Sequence, residues 1–344
     1  MVNKNEISLF NIKRIKLSKR GVGYYSYRLY NSLLKNDRIN VSKVSLIDEG
    51  KISRFPLLYH LEIPFLIPNN VDLYHALSPI EALRLDKDRT VVTIHDLIML
   101  RDTRQLYNDH NTLVKFVLKT NFAYALTKAI MSKKIIVDSE QTKMDLYDYF
   151  GGDKIDLGSI DVVRPIISSK FQPINIKNRD ENIFVIGTLC GLGRHKRVDI
   201  LINSFIKANI PNSKLLIAGR GPEMNRLIKL ANGQDNIVFM GFIPDEDINQ
   251  WYNSLDVFVF PSIEEGYGMP IIEAMATGCP VVTLDDSHIP KDIKNHTHVS
   301  NDLAYDLKNK KWLDSFDIKS NLDFVKQHSA KKISNQMIDI YNQI

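Results

Sequence analysis

The sequence predicts an α/β protein made of two doubly wound, Rossmann-like domains. Its 344 residues exceed what one hydrophobic core usually supports, so two domains are the expected arrangement. Short apolar runs at strand spacing alternate with helical segments in both halves of the chain. In each half a basic loop with glycines follows the first of these runs, as in the first unit of a doubly wound fold.

The first half of the chain contains a series of predicted strands. They are Ile7–Phe10, Val41–Leu46, Val71–His75, Thr90–Ile94, Lys134–Val137 and Ile160–Val163. The first strand is followed by the basic loop Lys16–Gly23 and by a helix over Tyr24–Lys35. A long amphipathic helix is predicted over Asn111–Ser132, with Lys115 and Lys119 on a polar face. We expect this helix to cover the sheet, and adsorption to a membrane surface is the alternative.

The pattern starts again after a polar segment at 166–181, which we interpret as a linker between domains 1–165 and 182–322. The predicted strands are Phe184–Thr188, Lys214–Ala218, Ile237–Met240, Val257–Phe260 and Val281–Leu284. A second basic glycine loop, Leu189–Arg197, precedes a helix over Val198–Ala208. The helical region 323–344 is expected to cross back and pack on the first domain.

The composition is typical of soluble globular proteins, with 44% hydrophobic and 25% charged residues. The net charge of +5 is small for this length and does not favour nucleic-acid binding. The two cysteines, Cys190 and Cys279, are too few for a disulfide framework. Since no apolar run approaches the ~20 residues that span a bilayer, we expect a cytoplasmic protein, peripheral at most on the inner face of the membrane.

The stretch Phe258–Val282 is the most informative part of the sequence. Two strand-like runs enclose a short helix that we expect to start near Pro270, with Glu273 in its first turn, and to end before Gly278. Near this helix start, the backbone N–H groups of the loop come together and create a partial positive charge that favours phosphate binding. The loop residues are Gly266, Tyr267, Gly268 and Met269. Glu265 and Glu273 lie beside this anion site. A ligand with both hydroxyl and phosphate groups would donate hydrogen bonds to the two carboxylates and accept them from the backbone amides. A nucleotide sugar is such a ligand.

The same stretch closely resembles the motif of retaining GT-B glycosyltransferases of the family 4, or group 1, type. The matching residues are PSIEEGYGMPIIEAMATGCPVV at 261–282, including two glutamates with seven residues between them. The resemblance implies two Rossmann-like domains that face each other across a cleft. It also implies that Glu273 binds the donor ribose, that Glu265 lies by the sugar, and that the loop amides face the diphosphate.

The resemblance extends more weakly over most of the chain. Val238–Pro244 is similar to the family's strand whose following turn, here Gly241, Phe242 and Ile243, contacts the nucleobase through backbone groups. Arg194 and Lys196 match cations that neutralise the departing diphosphate. The sequence differs from the family where Thr188 replaces a frequent arginine and where the loop that follows is lengthened.

In the first domain, His95 lies in a segment similar to the family's His-Asp motif, where the histidine faces the donor sugar and helps to stabilise positive charge at the anomeric carbon. Gly21 and Gly23 resemble the first-domain glycine loop, which approaches the donor phosphate and the acceptor. Three strands end in polar residues, among them His75 and Asp138, at the sheet edge where ligands bind in such folds.

No metal site is expected. Asp245–Asp247 and Asp86–Asp88 each spell Asp-x-Asp, the motif of metal-dependent glycosyltransferases of another fold, but we interpret them as a helix cap and a loop between strands. His296 and His298 lack a third ligand nearby in sequence. We also expect no cofactor beyond the substrate nucleotide sugar.

The resemblance implies a metal-independent, retaining hexosyltransferase that uses GDP-mannose or a UDP-hexose and a glycan, lipid-linked or protein-linked hydroxyl acceptor. One alternative is a nucleotide-sugar 2-epimerase, which shares the two Rossmann-like domains. A second alternative is an inactive protein that binds glycans or membranes, because Thr188 and the long loop depart from the family pattern.

Overall fold

The computed structural model describes residues 6–11, 22–45, 67, 71–101, 112–152, 154–176 and 180–344. Within them the backbone contacts define two compact units. The first contains the described residues up to Ser168 together with Gln327–Ile344, and the second contains Ser169–Lys326.

The first unit is built on a parallel sheet of six described strands in the order β2-β1-β3-β4-β5-β6. They are β1 (Glu6–Asn11), β2 (Asn40–Ser45), β3 (Leu73–Ala76), β4 (Thr90–Ile94), β5 (Lys134–Val137) and β6 (Ile160–Val162). Residues of β3 and β4 are buried throughout, as expected of parallel strands covered on both faces. The order reverses between β1 and β3, which makes that edge the topological switch point.

The helices of this part are α1 (Val22–Leu33), α2 (Pro79–Ala82), α3 (Thr112–Ala129) and α4 (Glu140–Phe150). Helix α1 begins two residues earlier than predicted, so Gly23 lies in its first turn and not in the preceding loop. Helix α3 is less amphipathic than predicted. Ala125 and Ala129 are buried, but Phe116 and Tyr124 are exposed.

The second unit has a parallel sheet in the order β12-β11-β10-β7-β8-β9. Its strands are β7 (Phe184–Leu189), β8 (Ser213–Ala218), β9 (Ile237–Gly241), β10 (Val257–Phe260), β11 (Val281–Leu284) and β12 (His298–Ser300). Counted from β7, this is the Rossmann order, with its switch point between β7 and β10. Strand β12 was not predicted, because three residues with one buried side chain leave little periodicity to detect.

The helices of the second unit surround this sheet. They are α5 (Val198–Ala208), α6 (Met224–Leu230), α7 (Ile248–Asn253), α8 (Met269–Ala276), α9 (Lys291–Lys294), α10 (Leu303–Asn309) and α11 (Ile318–Val325). Asp247 occupies the predicted cap position of α7, but its side chain makes no capping hydrogen bond. Asp86 instead caps a 3₁₀ turn by accepting from the Asp88 backbone amide.

The last helix, α12 (Ala330–Tyr341), packs in the first unit, as the sequence predicts. Its buried side chains Met337 and Tyr341 join a core with Ile7 and Leu29. The Gln336 side chain also donates to the Val162 carbonyl at 2.9 Å. The C-terminus of the chain therefore completes the core that its N-terminus begins.

Candidate donor site

The switch point of the second sheet lies between the ends of β7 and β10. Strand β10 pairs with β7 through Val257–Ile186 and Phe258–Gly187, so the loops that leave the two strands start side by side. In open parallel sheets this edge is the ligand-binding position. The loop after β7 contains the predicted cations, and the loop after β10 contains the predicted glutamates.

Backbone hydrogen bonds hold the loop after β10 between two neighbouring loops. The Ile263 amide donates to the His195 carbonyl at 2.9 Å. On the other side, the His288 amide donates to the Ile263 carbonyl at 2.7 Å, and the Glu265 amide donates to the His288 carbonyl at 3.0 Å. Glu265 is thus placed by three segments that are distant in sequence.

The side chain of Arg197 also holds these loops together through hydrogen bonds. Arg197 is 7% exposed and has a left-handed backbone, with φ at 49°. Its guanidinium donates to the carbonyls of Pro261 and Ser262 at 2.8 and 3.3 Å, and to Asp286 at 2.7 Å. Hydrogen bonding to Arg197, offset in part by burial, lowers the pKa of the Asp286 carboxyl. Arg197 therefore has a structural role beside the predicted binding cations.

Lys196 and Glu265, which are both predicted catalytic residues, contact each other directly through Nζ and Oε1. Their side chains are only 16% and 14% exposed, so solvent screens the pair weakly. The Lys196 Nζ also lies 5.6 Å from the centre of the Phe260 ring. The loop after β7 and the loop after β10 thus meet in one ion pair.

Helix α8 starts next to this pair. Gly268 has φ at +89°, a conformation that side chains rarely adopt, and it occupies the cap position. Pro270 is the second residue of the helix, and Gly278 follows its end with φ at +77°, close to the predicted limits. The prediction that Glu273 lies in the first turn is wrong, because the helix begins at Met269 and Glu273 falls in the second turn.

Glu273 lies on the buried side of α8. It is 8% exposed, and the hydroxyl of Tyr252 donates to its Oε2 at 3.3 Å. Tyr252 is fully buried in α7 and stacks edge-on against Phe171 and Phe258. Sequence reasoning assigned Tyr252 no role, because an aromatic residue at helical spacing indicates a core position.

The lengthened loop after β7 is anchored on the loop after β8. The Leu192 amide donates to the Arg220 carbonyl, and the Glu223 amide donates to the Leu192 carbonyl, at 3.0 and 3.1 Å. Glu223 then accepts from the Arg194 side chain at 3.3 Å. The extra residues therefore give Arg194 a carboxylate partner, while half of its side chain stays exposed.

The turn predicted to contact the nucleobase lies at the end of β9. Gly241 has φ at +66°, its carbonyl accepts from the Gly219 amide, and Phe242 is 41% exposed whereas Ile243 is buried. A β-carbon at Gly241 would lie 4.0 Å from Arg220 Nε. Arg220 is exposed and makes no ion pair with a described residue, and sequence reasoning did not select it.

His95 and Gly23, by contrast, belong to the first unit. His95 follows β4 directly, and both ring nitrogens have protein partners: Nδ1 lies 2.6 Å from Asp138 Oδ2 and Nε2 lies 3.0 Å from the Leu77 carbonyl. Burial opposes the charged ring, but the Asp138 carboxylate outweighs it and the pKa of His95 is raised. Gly21 lies outside the described residues.

His75, a weaker candidate, is fully buried between the hydroxyls of Tyr341 and Thr93, each at 2.7 Å. Burial, with a contribution from the charge of His95, lowers its pKa to about 3. No group of three or more metal-ligating side chains occurs among the described residues. His296 and His298 instead stack on Phe324 and Trp312.

Comparison with known proteins gives a family match within the second unit. Residues 180–310 match the model of the family described as glycosyl transferases group 1. The predicted family resemblance is confirmed. WclY of Escherichia coli, an O-antigen biosynthesis glycosyltransferase, is 25% identical over 48% of this chain and 49% of its own length. A glycosyltransferase of Methanocaldococcus jannaschii is 31% identical over 36% of this chain and 32% of its own.

Solved structures show that the fold is GT-B. HepE of Anabaena, crystallised with UDP and glucose, has a TM-score of 0.72 at 16% identity and covers 99% of this chain and 100% of its own. Sucrose-phosphate synthase of Thermosynechococcus elongatus has a TM-score of 0.74 at 17% identity, with 99% of each chain covered. The chain spans about half the length of the curated relative WclY, as aligned.

Among the described residues, no helix combines the length and the apolar character that crossing a bilayer requires.

Proposed function

We propose that this protein is a retaining glycosyltransferase that moves a hexose from a nucleoside diphosphate sugar, GDP-mannose or a UDP-hexose, to a hydroxyl acceptor. The main supporting observation is the direct contact of Lys196 with Glu265 at the switch point, beside the start of α8. A cation, a carboxylate and a helix N-terminus meet there, and a sugar phosphate has complementary groups for all three.

The second unit is the proposed donor domain. In this proposal the α8 amides and Lys196 bind the diphosphate, with Arg194 at its exposed end. Glu273, held by Tyr252, accepts hydrogen bonds from the ribose hydroxyls. The backbone at Gly241, Phe242 and Ile243 contacts the base. The HepE structure, which contains UDP and glucose, supports a donor of this chemical class.

The proposed reaction needs no metal, because protein groups supply the positive charge. The bond between the anomeric carbon and the phosphate oxygen breaks while the acceptor oxygen bonds to the same face of the sugar. The leaving phosphate takes the acceptor proton, and Lys196 with the α8 amides stabilises the nucleoside diphosphate that departs. Glu265 positions the sugar as its carboxylate is released from Lys196.

The acceptor is proposed to be a glycan, a lipid-linked sugar or a protein-linked sugar, bound by the first domain. Support comes from relatives named as O-antigen glycosyltransferases and mannosyltransferases. The exposed Phe116 and Tyr124 of α3, with Lys128 Nζ 5.9 Å from the Tyr124 ring, suit a peripheral contact with the inner face of the membrane. Sedimentation with anionic and neutral vesicles tests this contact, and equal absence from both pellets would refute it.

The central test is incubation of the purified protein with UDP- and GDP-sugars, with release of nucleoside diphosphate as the readout. We expect saturation by one donor class. Lys196→Ala and Glu265→Ala should each lower the rate about 10²–10³-fold while the fold survives. Lys229→Ala, an exposed lysine on α6, is the matched control and should stay active.

Two outcomes contradict the proposal. Near-normal turnover in both site variants would remove the role of the Lys196–Glu265 pair. Isomerisation of the donor sugar without any acceptor would identify a nucleotide-sugar 2-epimerase instead.

A further inference from the structure

The first unit buries a cluster of ionisable groups at the carboxyl edge of its sheet. His75 lies in β3, His95 follows β4, Asp138 follows β5, and Tyr25 in α1 packs against them. The Tyr25 and His95 rings form a T-shaped contact with centroids 4.7 Å apart. The transfer steps proposed above assign no role to any of these residues.

The contacts of the His95 ring determine its protonation state. Nδ1 faces a carboxylate oxygen of Asp138 at 2.6 Å, and Nε2 faces the carbonyl oxygen of Leu77 at 3.0 Å. An ionised carboxylate and a carbonyl can only accept hydrogen bonds. A neutral imidazole has one N–H and one lone pair, so one of the two contacts would bring two lone pairs together. Only the imidazolium, with two N–H donors, satisfies both contacts.

The neighbouring histidine shows the opposite arrangement. The partners of His75 are the hydroxyls of Tyr341 and Thr93, and each hydroxyl can either donate or accept. A neutral ring therefore fits at His75, in agreement with its pKa of about 3. The two rings thus differ in charge because one has two obligate acceptors around it and the other has none.

Asp138 is well placed to maintain this state. It is 4% exposed, and it directly precedes Ser139, which caps α4 by accepting from the Thr142 amide. The Thr142 hydroxyl in turn donates to the His95 carbonyl at 3.2 Å. The backbone on both sides of the Asp138–His95 contact is therefore fixed by the start of α4, and a helix N-terminus also favours the carboxylate.

We propose that Asp138 is a positioning residue that holds His95 as an imidazolium with both N–H groups donated to the protein. In transfer, His95 then acts as a fixed positive charge of the first unit. In this state both ring N–H groups of His95 are already donated to protein oxygens. The role in transfer rests on the proposed function, whereas the protonation state of His95 does not.

The protonation state can be measured in the ligand-free protein by NMR of histidine ring nitrogens against pH. We expect both nitrogens of His95 to stay protonated at pH values where an ordinary histidine, with a pKa of ~6.5, has lost a proton. Within the part of the chain that the structure describes, the charged and titratable groups that face this ring are Asp138, Asp96, His75 and Tyr25. Detection of a singly protonated His95 at pH 7 would overturn the proposal without any variant.

Asp138→Asn should lower the pKa of His95, because the amide removes the negative charge but keeps the shape. Asp148→Asn, an exposed aspartate on α4, is the control and should leave the titration of His95 unchanged. Equal titration curves for His95 in wild type and Asp138→Asn would overturn the role of Asp138.

The role in transfer is tested by the pH profile of kcat/KM. The kcat/KM of wild type should persist to higher pH than that of Asp138→Asn, which should fall about tenfold per pH unit above the lowered pKa of His95. If the ring titrates as expected but the two profiles coincide, the charge has no role in transfer. If wild type transfers no sugar, the proposed function fails, and the NMR titration still decides the protonation state.

Discussion

At the scale of single residues, the Lys196–Glu265 contact has two consequences. It orients both side chains before a donor arrives, and it neutralises the cation that a diphosphate would need. Because both side chains are mostly buried, this neutralisation is stronger than that of an exposed pair. A donor must therefore compete with Glu265 for Lys196.

We predict that Glu265→Gln binds a nucleoside diphosphate more tightly than wild type, roughly three- to tenfold, although transfer is lost. The change removes the competing charge and its repulsion of the phosphates while the amide keeps the size of the side chain. Calorimetric titration with UDP and with GDP measures the effect. Glu181→Gln, an exposed glutamate before β7, should bind like wild type. Unchanged or weaker binding by Glu265→Gln would show that the two residues do not compete in this way.

At the same scale, the protonation of His95 should make the stability of the fold depend on pH. Because its pKa is raised in the folded chain, the Asp138–His95 pair stabilises the fold fully below the ordinary pKa of histidine. That contribution is lost as the pH rises through the folded pKa. The stability and the activity of Asp138→Asn should therefore approach those of wild type at high pH, where both rings are neutral.

At the scale of elements, the site depends on loops that follow the strands β7, β8, β10 and β11. Arg197 joins three of these loops through the carbonyls of Pro261 and Ser262 and the side chains of Asp286 and Ser287. Helix α5 begins at Val198, so the residue that holds the loops together is also the cap residue of this helix. The strand ends alone would not keep Glu265 next to Lys196.

We predict that Arg197→Ala lowers the free energy of unfolding by about 2–4 kcal/mol, because buried carbonyls lose their donors. Thermal or chemical unfolding measures this loss. The neighbouring Arg194→Ala is the matched control. The Arg194 side chain is half exposed and its partner Glu223 also pairs with Arg226, so the loss should be less than about 1 kcal/mol. If both variants lose the same stability, the hydrogen bonds of Arg197 do not hold these loops together.

At the scale of the whole molecule, the two units differ in the segments of the chain that form them. Among the described residues, the second unit is formed by Ser169–Lys326, whereas the first requires Gln327–Ile344 to complete its core. Met337 is fully buried there against residues of β1 and α1, and Arg38 pairs with Asp339 at 2.7 Å. Folding of the first unit therefore depends on the last residues of the chain.

We predict that Met337→Ala destabilises the first unit by about 2–5 kcal/mol through the cavity it leaves. Hydrogen exchange should show faster exchange in β1 and α1, with β7 and β8 unaffected. Lys332→Ala, on the exposed side of the same helix, should behave like wild type. Equal acceleration in β7 and β8 would contradict the assignment of α12 to the first core.

Much of this organisation was predictable from particular residues. The apolar runs of β4, β5, β10 and β11 are short, buried and bounded by polar residues, and they were predicted within one residue. The prediction that α8 ends before Gly278 was correct, and Gly278 has the left-handed backbone typical of a residue that follows a helix. Strand β12 and the early start of α1 were not predicted, because neither has an apolar period or cap residue that local sequence reveals.

The sequence by itself determined the two doubly wound halves, the return of the last helix and the group 1 motif, because each depends on periodicity or local spacing. Only the tertiary structure decided the partners of the side chains. Lys196 and Glu265 are 69 positions apart, and His95 and Asp138 are 43 apart, so no local pattern relates them. A charge acts through the distance to its neighbours, and the packing of the loops sets that distance.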